Sequence, residues 1–210
     1  MINKLAIVAG GKLSKKFLPE MKRADYSIGV DHGAYWLIKN NIRPDVSLGD
    51  FDSVTEEELR CIKQQSKKII VCAKEKNETD LEIAVGEAMS IHPQKVVIYG
   101  ATGVRLDHTI AAVNLLGKFL ANKIPAKIVD EHNEISLMNT KQILPKGKHK
   151  YFSIFAYTKK AVVTLKQFKY PVSQKTFFRE SSLGVSNEIQ SQKGEVIIHS
   201  GKVLVIKSKD

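Results

Sequence analysis

The chain has 210 residues, 43% of them apolar, enough for one large domain or for a full domain with a smaller companion. Its two cysteines, Cys61 and Cys72, exclude a disulfide framework, and their spacing excludes a C-x-x-C redox or zinc pair, so they read as buried thiols of a reducing compartment. The formal charge of +11 points towards polyanions, yet residues 141–210 hold 14 Lys and Arg against 4 acids while residues 1–140 hold 19 against 18.

From the N-terminus, Leu5 to Ala9 is a short apolar run closed by Gly10-Gly11, the pattern of a buried parallel strand feeding a turn. Nothing in it has the length or cleavage site of a signal peptide, and no apolar run reaches the roughly 18 residues of a membrane helix, so a cytoplasmic protein without membrane contact is expected. Tyr26 to Val30 is a second strand, ending at Asp31-His32-Gly33-Ala34, and a helix through Tyr35, Trp36, Leu37 and Ile38 stops near Asn40-Asn41. Val46 to Leu48 leads into Gly49-Asp50-Phe51-Asp52-Ser53. Thr55-Glu56-Glu57-Glu58 has the form of a capping box opening a helix to about Gln65, followed by a strand over Lys68 to Ala73. Thr79-Asp80-Leu81-Glu82 repeats that form and opens a helix with Leu81, Ala84, Val85 and Ala88 on one face. Lys95 to Ala101 is a strand, Asp107 to Ala121 a long helix, and Ala126 to Asp130 closes the series.

This alternation predicts an α/β fold, a mostly parallel sheet flanked by helices. After about Leu144 the pattern changes. Tyr151 to Tyr157, Ala161 to Phe168, Val196 to His199 and Val203 to Ile206 are strand-like, and His199-Ser200-Gly201-Lys202 resembles a hairpin turn. A small antiparallel β-sandwich is expected there, giving domains at 1–144 and 145–210.

In an extended backbone Asp50 and Asp52 would share one side while Phe51 turns to the core. Two carboxylates facing one volume repel unless a cation lies between them, and a hard divalent ion such as magnesium is the usual one. Ligands of open parallel sheets bind beyond the carboxyl ends of the strands. Asp31, Asp50 with Asp52, Asn77-Glu78-Thr79-Asp80, and Thr102-Gly103-Val104-Arg105-Leu106-Asp107-His108 all fall at such ends. Taken singly, each has a plainer reading: Asp80 and Asp107 as helix-start acids, Asp31 as an Asx-turn residue, His108 as a packed histidine. Arg105 resists one, because Gly100-Ala101-Thr102-Gly103 before a helix is a natural phosphate cradle to which a guanidinium adds a clamp. Acids for a metal and an arginine for phosphates suggest a nucleotide, although Gly10-Gly11-Lys12 fits neither a P-loop nor a G-x-G-x-x-G.

Asp31-x-Gly33-Ala34, Pro44-Asp45 with Gly49-Asp50-Phe51-Asp52-Ser53, Glu78-Thr79-Asp80, and Gly100-x-x-Gly103-x-Arg105-x-Asp107-His108 together resemble the ordered motifs of the thiamine pyrophosphokinase family. Leu183-Gly184-Val185-Ser186-Asn187 is similar to that family's C-terminal thiamine-pocket motif. His32 departs where a second glycine is common, and Asn77 where an aspartate is common. The resemblance implies transfer of the ATP diphosphate to the thiamine hydroxyl, giving thiamine diphosphate and AMP. It implies Asp50, Asp52 and Asp80 as catalytic metal ligands for Mg2+ and Arg105 as the group that stabilises gathering charge. Asp31, Gly33, Ser53, Thr79, Gly103, Asp107 and His108 are implied nucleotide contacts, and Ser186 and Asn187 thiamine contacts. Tyr170, Phe177 or Phe178 is left to stack on the thiazolium. A homodimer with shared sites is implied too.

Three other readings are weaker. A dehalogenase-type phosphohydrolase places its Asp-x-Asp after the first strand, where this chain has Ala9-Gly10-Gly11. An RNA-binding module would need an aromatic RNP-like motif or a GXXG loop, and the scattered C-terminal lysines read as solvated surface instead. A degenerate relative that binds thiamine without turnover would be signalled by Asn77.

Overall fold

The computed structural model describes residues 1–210 and divides them into two compact units, Met1–Glu131 and His132–Asp210. No helix is long and apolar enough to cross a membrane.

The first unit alternates β1 (Leu5–Val8), α1 (Leu18–Met21), β2 (Tyr26–Val30), α2 (His32–Lys39), β3 (Val46–Gly49) and α3 (Glu56–Gln65). It continues with β4 (Lys68–Val71), α4 (Asp80–Ser90), β5 (Val96–Tyr99), α5 (Leu106–Ala121) and β6 (Ala126–Val129). The strands lie in the order β4-β3-β2-β1-β5-β6, and every neighbouring pair is parallel. Chain order therefore reverses between β1 and β5, and beyond the carboxyl ends at such a reversal a crevice opens. β1 and β5 are buried along their whole length, which is why both read as unbroken apolar runs.

The capping signals have their expected form. Thr55 accepts from the Glu58 amide while the Glu58 carboxylate accepts from the Thr55 amide, a complete capping box on α3. Thr79 accepts from the Glu82 amide at 3.2 Å and starts α4. Between β1 and β2, where no helix is expected from the sequence pattern, a short helical segment over Lys15–Met21 places Phe17 and Met21 in a core with Ala6, Val8, Val97 and Tyr99.

The second unit holds β7 (Asn133–Met138), β8 (Gln142–Pro145), β9 (Tyr151–Ala156), β10 (Lys160–Lys166), β11 (Val172–Phe178), β12 (Lys193–Ser200) and β13 (Val203–Ser208). β13 pairs antiparallel with β7 and β9, and an antiparallel sheet of four strands runs β11-β10-β12-β8. Phe152 and Ile154 from one sheet meet Val163, Leu165 and Val196 from the other in one buried cluster. The unit begins before the Pro145 region, because β7 pairs with β13 and β8 with β12.

The expected hairpin at His199–Lys202 is not one. β12 and β13 belong to different sheets, and Gly201, at φ +80°, carries the chain across between them. A side chain there would lie 2.6 Å from the Lys160 carbonyl oxygen, so the corner is closed against the start of β10.

Candidate active site

A cleft of about 740 Å³ opens beyond the carboxyl ends of β1, β2, β3 and β5. Its floor depends on close backbone approach. The Gly11 amide donates to the Gly100 carbonyl at 2.8 Å, and a Cβ on Gly11 would come within 2.4 Å of that oxygen. Gly100 sits at φ +67°, a conformation glycine adopts without strain. Thr102 Oγ1 donates to Asp130 Oδ2 at 2.9 Å and ties the following loop down.

Three carboxylates meet at one side of this cleft. Asp31, Asp50 and Asp80 each offer an oxygen, and these atoms lie within 4.8 Å of one another. Asp31 leaves β2 at φ +47°, and its Oδ1 accepts the Phe51 amide at 3.1 Å. Gly49 makes room for it: a Cβ there would fall 1.8 Å from Asp31 Oδ1. Burial pushes the Asp31 carboxyl up to about 6, the Phe51 hydrogen bond opposes this, and the charges of Asp80, Asp50 and Asp52 add to it. Asp50 is held below the usual carboxylate range, chiefly by the Asp52 amide, which donates to its Oδ1 at 3.1 Å.

Asp52 lies beside Asp50, interacting with it through its amide and its side chain, but outside the group of three carboxylates that meet. Phe51 adopts φ +57°, so residues 50–52 turn rather than extend and their side chains do not alternate. Phe51 is buried with Ala34, Ile38 and Ile62, which anchors this turn. Asp52 is exposed and supplies its backbone amide to Asp50, while Asp31 takes the third place in the cluster.

One cation is already among these acids. Lys76 Nζ lies 3.0 Å from Asp80 Oδ1 and 3.7 Å from Asp50 Oδ2. Burial lowers its ammonium pKa, but Asp80 and Asp50 outweigh that and leave it above the ordinary lysine value. Asp80 Oδ1 is shielded from water, and Lys76 is the cation that faces it there. Three carboxylates whose oxygens lie this close, and which already attract an ammonium, fit a hard divalent cation.

Arg105 and Asp107 sit at the start of α5 on the cleft's rim. The guanidinium donates from Nε to Asp107 Oδ1 at 3.2 Å and from Nη2 to Oδ2 at 2.6 Å, and this pair holds the Asp107 carboxyl below the usual range. Both side chains remain largely exposed, at 70% and 63%. Arg105 is thus displayed to solvent and free to exchange partners, and in the first turn of α5 Asp107 Oδ1 also accepts the His108 amide at 2.9 Å. Ser53, Thr79, Gly103 and His108 line the cleft as well. Gly33 does not. It is buried, and a Cβ would meet the Val8 carbonyl oxygen at 2.1 Å, so it serves close helix–strand packing.

In the second unit Asn187 is 5% exposed and internally committed. Its Oδ1 accepts the amides of Tyr170 and Glu188, and its Nδ2 donates to the Tyr170 carbonyl at 2.8 Å. Ser186 is exposed at φ +58°, with its amide donating to Ser153 Oγ. Of the three aromatic side chains, Phe177 is buried in the core, whereas Tyr170 and Phe178 are 60% and 54% exposed.

Lys74 and Lys76 also line the cleft and were not singled out by the sequence, whereas Thr102 belongs to the loop read as a phosphate cradle. Lys76 had one available signal, its place four residues before Asp80, which brings it to the same helix start. The thiols Cys61 and Cys72 are free but half-buried rather than fully enclosed.

A parallel sheet with an acid cluster and a glycine-floored cleft at its strand reversal defines an α/β protein whose ligand cleft lies beyond its strand ends. The family model for "Thiamin pyrophosphokinase, catalytic domain" matches residues 17–128, and that for "Thiamin pyrophosphokinase, vitamin B1 binding domain" matches 135–205. A thiamine pyrophosphokinase of Bacillus subtilis (strain 168) is 32% identical, covering 97% of this chain and 98% of the relative. A crystal structure of that enzyme from Bacillus subtilis superposes with a TM-score of 0.92 at 30% identity over 99% of this chain and all of the other. The thiamin pyrophosphokinase of Geobacillus thermodenitrificans follows at 0.87 and 29%, over 99% and 98%. The chain belongs to the thiamine pyrophosphokinase family.

Proposed function

We propose that this chain transfers the diphosphate group of ATP to the hydroxyl of thiamine, releasing AMP. The observation that carries the reading is the meeting of Asp31, Asp50 and Asp80 in the same cleft as Arg105. Diphosphoryl transfer needs little covalent help from the protein; it needs aligned phosphates and neutralised charge. Asp50 and Asp80, with Asp31 beside them, would hold Mg2+, and Asp52 is one turn away on the same loop. When bound there, the ion supplies charge neutralisation at the phosphate oxygens. Arg105, exchanging Asp107 for phosphate, stabilises negative charge on the transferred group, and the start of α5 adds the positive end of a helix dipole.

The thiamine side draws on the second unit. Exposed Ser186 offers a hydroxyl, and Tyr170 or Phe178 an aromatic face for the cationic thiazolium, worth roughly 0.5 to 2 kcal/mol. Buried Asn187 supports this region by fixing the Tyr170 backbone. In a homodimer each site would combine the cleft of one protomer with the β unit of its partner.

The test is AMP formation by the purified protein from ATP and Mg2+, with and without thiamine. Thiamine-dependent AMP together with thiamine diphosphate supports the reading. ADP or free phosphate refutes it, and thiamine binding without turnover supports the degenerate reading instead. Sedimentation at enzyme concentration tests the dimer.

A further inference from the structure

Lys76 is more withdrawn from solvent than most of the chain's ion-paired lysines, as is Lys207 at 16% exposed, but Lys76 reaches two acids of one cluster. Lys67 and Lys68, paired with Asp45 and Glu87, keep 58% and 57% of their side chains exposed, whereas Lys76 keeps 14%. Drawing an ammonium out of water is unfavourable unless charge compensates it nearby. Here it reaches two carboxylates, Asp80 at 3.0 Å and Asp50 at 3.7 Å, and both belong to the three-acid cluster.

A divalent ion cannot enter that cluster with the ammonium unmoved. Mg2+ needs oxygens at about 2.0 to 2.1 Å, and two cations held that close to the same carboxylates repel each other. We infer that Lys76 is the resident counter-ion of the Asp50–Asp80 cluster and yields its place when a divalent cation binds. This rests on the metal site of the proposed function. Lys76 precedes α4 on a flexible four-carbon stem and lines the cleft, so an ammonium expelled from the acids stays within reach of the same cavity. Lys76 is thus a positioning residue. It keeps the empty cluster from repelling itself apart, sets a threshold for metal entry and delivers a positive charge to the cleft as the metal arrives.

The test needs no turnover. Mn2+ binding to the nucleotide-free protein is followed by electron paramagnetic resonance of the free ion, for wild type, Lys76→Met, Lys76→Gln, Lys76→Arg and Lys74→Met. Losing the competing ammonium tightens Mn2+ binding by about tenfold or more in Lys76→Met and Lys76→Gln. Lys76→Arg, which keeps the charge, stays near wild type, and so does Lys74→Met, which removes a lysine from the cleft but not from the cluster. In EDTA, Lys76→Met and Lys76→Gln melt below wild type, and saturating Mg2+ raises their melting temperature more than it raises that of wild type. Equal Mn2+ affinity in wild type, Lys76→Met and Lys76→Gln overturns the counter-ion role alone. An equal gain in Lys74→Met overturns it too, because the effect is then one of general cleft charge. No Mn2+ binding to any form overturns both this role and the metal site beneath it.

Discussion

Asp31→Asn should make the metal-free protein more stable at neutral pH. Asp31 titrates at about 6 in the folded chain against 3.8 ordinarily, because burial and the carboxylates of Asp80, Asp50 and Asp52 disfavour its charge. Between those values the folded protein keeps a proton that the unfolded chain has released. Stability from this group is therefore full below about pH 4 and is lost as the pH rises through about 6. A gap of about two pKa units sets a ceiling of about 3 kcal/mol. Partial exposure, and the favourable placing of a negative charge at the start of α2, reduce the expected gain to about 1 to 2 kcal/mol. Asparagine keeps an oxygen for the Phe51 amide and tolerates positive φ, so little else changes. Urea denaturation in EDTA at pH 4.5, 6 and 7.5 reads the difference. The reasoning is refuted if the variant is no more stable than wild type at pH 7.5, or if its advantage does not grow across that range. With saturating Mg2+ the sign reverses, since the variant has lost a cluster oxygen.

Asp50→Asn and Asp80→Asn should each lower kcat roughly a hundredfold or more, and should weaken Mn2+ binding to nucleotide-free protein more than Asp52→Asn does, as titration of the three variants will tell. Gly49→Ala places a methyl 1.8 Å from Asp31 Oδ1 at φ +147°, so urea denaturation should register a loss of about 1 to 3 kcal/mol together with weakened metal binding. Arg105→Ala should cut diphosphoryl transfer about a thousandfold and leave the melting temperature unchanged, because its pair with Asp107 is exposed. Asn187→Ala removes the part-buried bonds to the Tyr170 amide and carbonyl and should cost about 1 kcal/mol of stability in denaturant titration, with the KM for thiamine raised.

The strand-and-helix alternation of residues 5–130 was legible because each element carries its own local signal. β1 and β5 are continuous apolar runs, and Thr55 and Thr79 cap helices by bonds that span three residues. The acids at strand ends were legible for a topological reason: parallel strands joined by helices all finish on one edge, so Asp31, Asp50 and Asp80 had to emerge on the same side. What local pattern could not supply was the turn at Phe51. Its positive φ is stabilised by burial against Ala34, Ile38 and Ile62, residues brought there by α2 and α3, and it replaces Asp52 by Asp31 in the cluster.

The second unit makes the same division. Apolar alternation marked β9, β10, β12 and β13, but β12 and β13 resembled a hairpin in sequence and separate into two sheets in space. Pairing depends on which partner buries a given face, and β10 and β9 lie far from those strands along the chain. β11 has an exposed pattern because it is an edge strand, leaving little periodicity to read. Sequence alone therefore determined most elements of residues 5–130, the parallel character of their sheet and the edge where the chemistry collects. The tertiary structure decided which carboxylates meet, that Lys76 lies between two of them, and that Asn187 turns inward, because each depends on contacts between segments that chain order leaves apart.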